Sequence, residues 1–178
     1  MDHCLDAFKY CPRCGSAHFR IDGERSRQCE DCGFTYFLNA SAATAAFIVR
    51  EGADGKEILV GRRAQEPAKG TLDLPGGFVD PGESVTDGIV REVREEVGCE
   101  GEIVRFLFSL PNGYEFSGFR VPTADCFFEV KIPDETAVFG QDDCVDLEWV
   151  ALKDVRPEDF GLDSIRKAVE KYIKAYNS

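Results

Sequence analysis

Four cysteines and three glutamates carry the chemistry that this chain's sequence makes legible. Cys11-Pro-Arg-Cys14-Gly15 and Cys29-Glu-Asp-Cys32-Gly33 are two Cys-x2-Cys turns with fourteen residues between them. Tetrahedral zinc takes four thiolates about 2.3 Å from the ion, and paired turns of this kind deliver them two at a time. Gly15 and Gly33 each follow the second cysteine, where the left-handed backbone of the turn suits glycine. Four thiolates leave no open coordination position, so a zinc held by Cys11, Cys14, Cys29 and Cys32 is structural. The competing reading, a redox dithiol, needs one such motif and not two. Cys4, Cys99, Cys126 and Cys144 fall outside the pattern and read as small buried hydrophobes.

The glutamates belong to a helix expected over residues 85–97, with Ser84 and Asp87 as a capping-box variant and Gly98 just past its end. At about 100° per residue, with Val85 at 0°, Ile89, Val93, Val97 and Val90 spread from about 40° to about 140°. That arc is the buried stripe. Glu92 falls at about −20°, Glu95 at about −80° and Glu96 at about +20°, so Glu96 intrudes into the apolar arc. A solvated helix would set its acids opposite the core, about where Asp87 and Arg91 lie. Like charges four residues apart, as in Glu92 and Glu96, are unfavourable unless a cation sits between them. Three carboxylates on one rigid face make a hard-oxygen site suited to magnesium or manganese, which also binds phosphates. Gly88, at about −60°, leaves that face open one turn earlier.

Two zones must position these groups. Residues 1–38 are rich in cysteine and arginine and poor in aliphatic runs. Residues 39–178 read as an α/β domain, with strands expected at 45–49, 57–60, 103–110, 124–130 and 145–150. A turn at Gly52-Ala53-Asp54-Gly55 separates the first two, and a terminal amphipathic helix is expected at 163–176. The 178 residues suffice for one substantial domain with a small appendage. A 43% hydrophobic fraction with 14 Phe excludes wholesale disorder. The formal charge of −12 argues against a broad nucleic-acid surface. Arg13, Arg20, Arg25 and Arg27 give the cysteine zone a local basic tilt that leaves RNA contact, capped RNA included, open. There is no apolar run long enough to span a membrane. The amino terminus does not read as a secretory signal, and eight cysteines without one point to the cytoplasm.

Residues 77–99 read Gly77-x5-Glu83-x7-Arg91-Glu92-Val93-x-Glu95-Glu96-x-Gly98-Cys99. This matches the Nudix box at every fixed position, with Cys99 at the final apolar place. Arg62-Arg63 after Ile58-Leu59-Val60, the Leu74-Pro75-Gly76-Gly77 approach and Glu148-Trp149-Val150 also resemble Nudix domains, and the segment before them resembles a zinc ribbon. The resemblance implies an α/β/α sandwich with a mixed sheet behind a small ribbon. It implies hydrolysis of a nucleoside diphosphate linked to another moiety, X, by water attack on phosphorus. Glu92, Glu95 and Glu96, with the Gly77 carbonyl, would hold the catalytic metal, and Glu92 would serve as general base. Arg91 and Glu83 would pair and fix the helix against the preceding loop.

Ribbon and box together resemble the NADH pyrophosphatases, whose Ser-Gln-Pro-Trp-Pro-Phe-Pro-x-Ser run is matched in part by Ser109-Leu-Pro-Asn-Gly-Tyr-Glu-Phe-Ser117. Tyr114, Phe116 and Phe119 can stack on a base, and Arg62 is placed with Tyr114 and Phe116 at the substrate. ADP-ribose-like substrates rank slightly ahead of NADH-like ones. A homodimer is left open. The alternative is a non-catalytic Nudix-like nucleotide sensor, or a module whose ribbon contacts RNA or protein; three metal-ligating carboxylates argue against it.

Overall fold

The computed structural model describes residues 4–53, 55–133 and 144–176. Residues 1–3 of the amino terminus and Asp54 of the expected turn lie outside them, as does the side chain of Cys144.

The cysteine zone folds around a three-stranded antiparallel sheet of β1 (Phe19–Gly23), β2 (Ser26–Cys29) and β3 (Thr35–Phe37). Its apolar centre is Cys11, Phe19 and Cys29, packed by Phe8, Phe34 and Tyr36. So small a cluster cannot hold a domain together alone, which leaves cohesion to the four thiols.

The second sheet has six strands: β4 (Ser41–Gly52), β5 (Gly55–Arg63), β6 (Leu72–Asp73), β7 (Glu102–Phe116), β8 (Phe119–Lys131) and β9 (Cys144–Ala151). Their order is β6-β5-β4-β8-β7, with β9 along the other edge of β5. β4 and β8 run parallel while the remaining pairs are antiparallel, so the sheet is mixed as expected. Strand alternation divides the core in two. Phe47, Val49 and Phe127 face the terminal helix α2 (Asp163–Tyr176), and Phe47 stacks on Tyr172 at 4.2 Å. Ala46, Ile48 and Phe128 face α1 (Val85–Val97), meeting Ile89, Val93 and Val97. Each of these large side chains is worth about 1.5–3 kcal/mol when fully buried, enough to fix both helices on the sheet.

Both helices occupy the expected residues. In α1 the Ser84 hydroxyl accepts from the Asp87 N–H, and the Asp87 carboxylate accepts from the Ser84 N–H. Gly98, at φ 80°, closes the helix. Val90 is only half-buried, at the margin of the stripe. The strands outrun their expected limits, β7 most of all. It continues through Pro111, which an edge strand tolerates because no partner on its outer side needs the missing N–H. A two-residue turn, Ser117 (φ 51°) and Gly118 (φ 71°), then joins it to β8, the backbone signature of a primed hairpin turn. Cys4 departs from the buried reading: it is exposed, its thiol against the Glu24 carbonyl. Cys99 and Cys126 are half-buried at the edge of the α1 core.

Candidate active site

The loop between β6 and α1 is threaded through a narrow space. Gly76 has φ 152°, and a Cβ there would stand 2.1 Å from the Thr44 carbonyl oxygen. A Cβ on Gly77 would stand 2.5 Å from Glu92 Oε1. Gly76 therefore requires glycine, whereas a side chain at Gly77 would have to push the Glu92 carboxylate aside; the result is a backbone pressed against β4 on one side and α1 on the other. The Thr44 N–H donates to the Gly77 carbonyl at 2.8 Å, and the Ala46 N–H to that of Pro75.

Glu96 is 4% exposed, and its Oε2 accepts from the Gly76 N–H at 2.8 Å. Glu92 is half-buried next to the loop, and burial is the main force raising its carboxyl above the ordinary glutamate range, against the opposing pull of Arg91. Arg91, expected on the outer face, is instead the hub of the cluster and only 19% exposed. Its Nη2 donates to Glu83 at 2.7 Å and to the Phe78 carbonyl at 2.9 Å. Its Nη1 donates to Glu92 at 2.8 Å and Glu95 at 3.0 Å. These bonds, with Glu83 first, stabilise the charged guanidinium, and Arg91 in turn holds Glu83 below its usual value. Glu83 also accepts from the Asp80 N–H, so the expected pairing does fix the helix to the loop. Gly88 is buried, and a Cβ there would meet Glu83 Oε1 at 3.1 Å.

Glu92 and Glu96 open onto a cavity of about 190 Å³ whose wall also includes Gly76, Gly77, Phe78, Arg63, Asp73, Asn112, Tyr114, Thr123 and Asp125. Glu95 is not part of that wall; it lies at the rim, 45% exposed. The hard-oxygen donors facing the cavity fit a divalent ion: two carboxylates beside a glycine carbonyl, with the Thr44 hydroxyl buried near them without a partner. Arg62 and Phe116 are placed elsewhere. The Arg62 guanidinium reaches the Gly70 carbonyl and Glu148, and Phe116 is 62% exposed near the hairpin turn. Tyr114 does face the cavity, its ring edge-on to Phe78 at 5.5 Å and its hydroxyl accepting from Arg63 at 3.2 Å. Arg63 also pairs with buried Asp73, whose carboxyl burial pushes upward while the guanidinium opposes the shift.

A family model described as the NUDIX domain matches residues 41–172. The chain belongs to the Nudix family. A second model, the NADH pyrophosphatase zinc ribbon domain, matches residues 6–37. Among curated relatives, the NAD-capped RNA hydrolase NudC of Pseudomonas putida is 27% identical over 165 residues, 93% of this chain and 56% of that protein. NudC of Pseudomonas fluorescens is 29% identical over the same shares. The chain thus spans a little over half the length of these relatives. A Nudix hydrolase from Nitrosomonas europaea superposes with a TM-score of 0.77 at 21% identity, covering 96% of this chain and 93% of that one. A MutT Nudix hydrolase from Burkholderia pseudomallei, 28% identical, covers 74% of this chain and 97% of its own with a TM-score of 0.61.

The ribbon ahead of the Nudix domain has the geometry of a metal knuckle pair. Gly15 and Gly33, at φ 75° and 70°, each donate to the carbonyl of the first cysteine of their turn. Cys11 and Cys32 sulfurs are 3.7 Å apart, those of Cys14 and Cys29 3.6 Å. A tetrahedron of thiolates about 2.3 Å from zinc has edges of roughly 3.8 Å, so the four sulfurs fit the ion. Among the described residues they alone bring three or more metal-binding side chains within 4.8 Å of one another. Three of the four ribbon arginines are tied within the chain: Arg20 to Glu30, Arg25 to Asn39, and Arg27 to Asp6 and the Phe19 carbonyl. Phe119, expected at a base or in the core, packs edge-on against Phe8 of the ribbon at 5.3 Å. No helix among the described residues is long and apolar enough to cross a membrane.

Proposed function

We propose that this Nudix chain is a cytoplasmic, metal-dependent hydrolase of nucleoside diphosphates linked to a second moiety, cleaving the diphosphate by attack of water on phosphorus. The supporting observation is Glu96, buried on the wall of the cavity beside Glu92. Carboxylates so placed in a chain of charge −12 are stabilised by a cation they share. Glu92, Glu95, Glu96 and the Gly77 carbonyl would hold magnesium or manganese, with Glu95 swinging in from the rim. Such an ion offsets charge on the diphosphate and lowers the pKa of a bound water. Glu92 accepts the proton of the attacking water as its oxygen bonds to phosphorus; the bridging P–O bond breaks, and the departing phosphate keeps the electron pair. Arg91 keeps Glu92 oriented and Glu83 keeps Arg91 in place. The zinc held by the ribbon stays structural. Relatives named for hydrolysis of NAD-capped RNA, and fold neighbours that include an ADP-ribose pyrophosphatase, put both dinucleotides and ADP-ribose on the substrate panel.

The test is product identification by mass spectrometry after incubating ADP-ribose, NADH and NAD-capped RNA with the protein and magnesium or manganese. Two phosphate-bearing products from at least one substrate, absent in chelator, are expected. Tight binding without cleavage of any would make the chain a nucleotide sensor.

A further inference from the structure

We propose that the ribbon braces one wall of the cavity, with Phe8 and Phe119 as positioning residues that set substrate affinity without touching substrate; this rests on the hydrolase reading. The wall concerned is the far end of the β7–β8 hairpin. β8 runs beside β4 only as far as Thr123, which pairs with Ser41, the first residue of β4. Beyond it, residues 113–116 and 119–122 pair with each other, and among the described residues no third strand joins them. Two antiparallel strands alone are marginally stable in water. Yet this unsupported end brings Tyr114 to the cavity wall, with Asn112 there at its base. Tyr114 meets Phe78 edge-on at 5.5 Å, and Asn112 donates to Asp125 at 3.1 Å. These contacts tie the hairpin to the Nudix domain.

The ribbon supplies a second tie. The Phe8 ring stands edge-on to Phe119 at 5.3 Å and stacks on Tyr36 at 5.6 Å. Phe8 and Tyr36 both pack on the cluster of Cys11, Phe19 and Cys29, so the contact is anchored beside the thiols. Phe119 is half-buried, while Phe116, its cross-strand partner, is 62% exposed. The ribbon thus covers one aromatic of the hairpin end and leaves the other open. A cleft of about 350 Å³ adjoins this contact, lined by Cys4, Ala7 and Leu38 of the ribbon and by Asn112, Gly113 and Phe119 of the hairpin. Asn112 lines both this cleft and the active-site cavity. Val121, two residues from Phe119 and so on the same side of β8, is the cross-strand partner of Tyr114. Contiguous packing of this kind carries coupling between sites. The catalytic cluster lies off that path: Glu92 and Glu96 are on α1, whose core cluster contains no residue of 113–122. Loss of the brace should therefore lower the fraction of molecules with Tyr114 in place. That weakens apparent affinity by the same fraction and leaves the chemical step alone.

A double-mutant cycle tests the brace: Phe8→Ala, Phe119→Ala and both together, on whichever of ADP-ribose, NADH and NAD-capped RNA wild type cleaves with magnesium. Each single variant should raise KM roughly 3- to 10-fold, the range for an aromatic pair, and change kcat less than about twofold. The double variant should match the singles, because both substitutions remove one contact. Additive effects, a loss confined to kcat, or a KM that rises in Phe119→Ala and not in Phe8→Ala would overturn the brace. Should Phe8→Ala lose its zinc by atomic emission, Phe8→Leu, which keeps the ribbon core filled, takes its place in the cycle. If wild type cleaves none of the three compounds, the hydrolase reading fails on its own. Hydrogen exchange then decides the brace: faster opening of residues 112–116 in zinc-loaded Phe119→Ala supports it, and unchanged protection removes it.

Discussion

Glu96 Oε2 and the backbone nitrogen of Gly76 stand 2.8 Å apart, and this bond ties the last turn of α1 to the loop that enters it. The loop can come so close only because neither Gly76 nor Gly77 has a side chain. A carboxylate 4% exposed, on the same cavity wall as Glu92, is costly to keep charged. Its position is understandable if it serves a cation, and that makes its charge separable from its shape.

Glu96→Gln should therefore fold and fail. The amide oxygen can keep the Gly76 bond, so melting of the metal-free protein should not drop, and relief of repulsion from Glu92 should raise it slightly. Activity should fall by at least about 10²-fold, with a rightward shift in the magnesium titration. Glu92→Gln should cost roughly 10²- to 10⁴-fold from loss of the base. Full metal-dependent turnover by Glu96→Gln would remove this cluster from the mechanism.

The neighbouring glycines should respond differently to alanine. At Gly77 the added methyl meets the end of a flexible side chain, Glu92 Oε1, so the carboxylate swings aside and the fold survives. We expect a loss of about 10²-fold in kcat with little change in melting temperature. At Gly76 the methyl meets the Thr44 carbonyl at 2.1 Å with φ at 152°, and backbone must move. That variant should show a clear loss of thermal stability, which differential scanning calorimetry on the pair would rank.

Local signals made the helix readable: the apolar period, Ser84 with Asp87, and Gly98 together placed both ends of α1 at the observed residues. The hairpin turn had a local signal too, Ser117-Gly118 between aromatic runs, which the extent assigned to the strand concealed. Arg91 was misplaced on the wheel because the wheel records where Cα points, whereas a long side chain bends back across the face. Arg62 was chosen for the substrate where Arg63 faces the cavity; adjacent strand residues point to opposite faces, so an error of one inverts the side. Asp125 had no local signature at all. Its partners Asn112 and Ser164 are 13 and 39 residues away, joined to it only when β7 and α2 pack on β8.

Arg91→Lys tests the hub. An ammonium cannot reach Glu83, Glu92, Glu95 and the Phe78 carbonyl at once, as the forked guanidinium does. We expect roughly 10- to 100-fold lower kcat/KM, by analogy with supports of metal ligands elsewhere, and a lower melting temperature. An unchanged kcat/KM would reduce Arg91 to a surface ion pair.

The amino end of α2 gives a pH signature. Asp163 is held below the usual aspartate value, first by the hydrogen bond from Lys167 and then by the charges of Lys167 and Arg166. A depressed folded-state pKa means that the unfolded chain binds the proton more readily. The contribution is thus complete above the ordinary value of about 3.9 and vanishes as pH falls through the lower folded one. Asp163→Asn should be less stable than wild type by a constant margin in urea titrations from pH 6 to 8. The margin should close toward pH 3.

Zinc content is checked most directly. The four-sulfur geometry predicts one tightly held zinc per chain, measurable by atomic emission on purified protein; zinc-free protein with freely reactive thiols would refute it. Cys11→Ser should release the ion and unfold β1–β3, whose apolar cluster is small and includes Cys11 itself. The two core clusters around α1 and α2 contain no ribbon residue, so the Nudix sheet should persist and melt in a separate transition. Its β7–β8 hairpin should nevertheless loosen, because Phe8 packs on Phe119 near the turn. Hydrogen exchange should report faster opening at residues 114–121 in the variant, with protection around Phe47 and Phe127 unchanged. Collapse of protection in both places would show that the ribbon is integral to the main core.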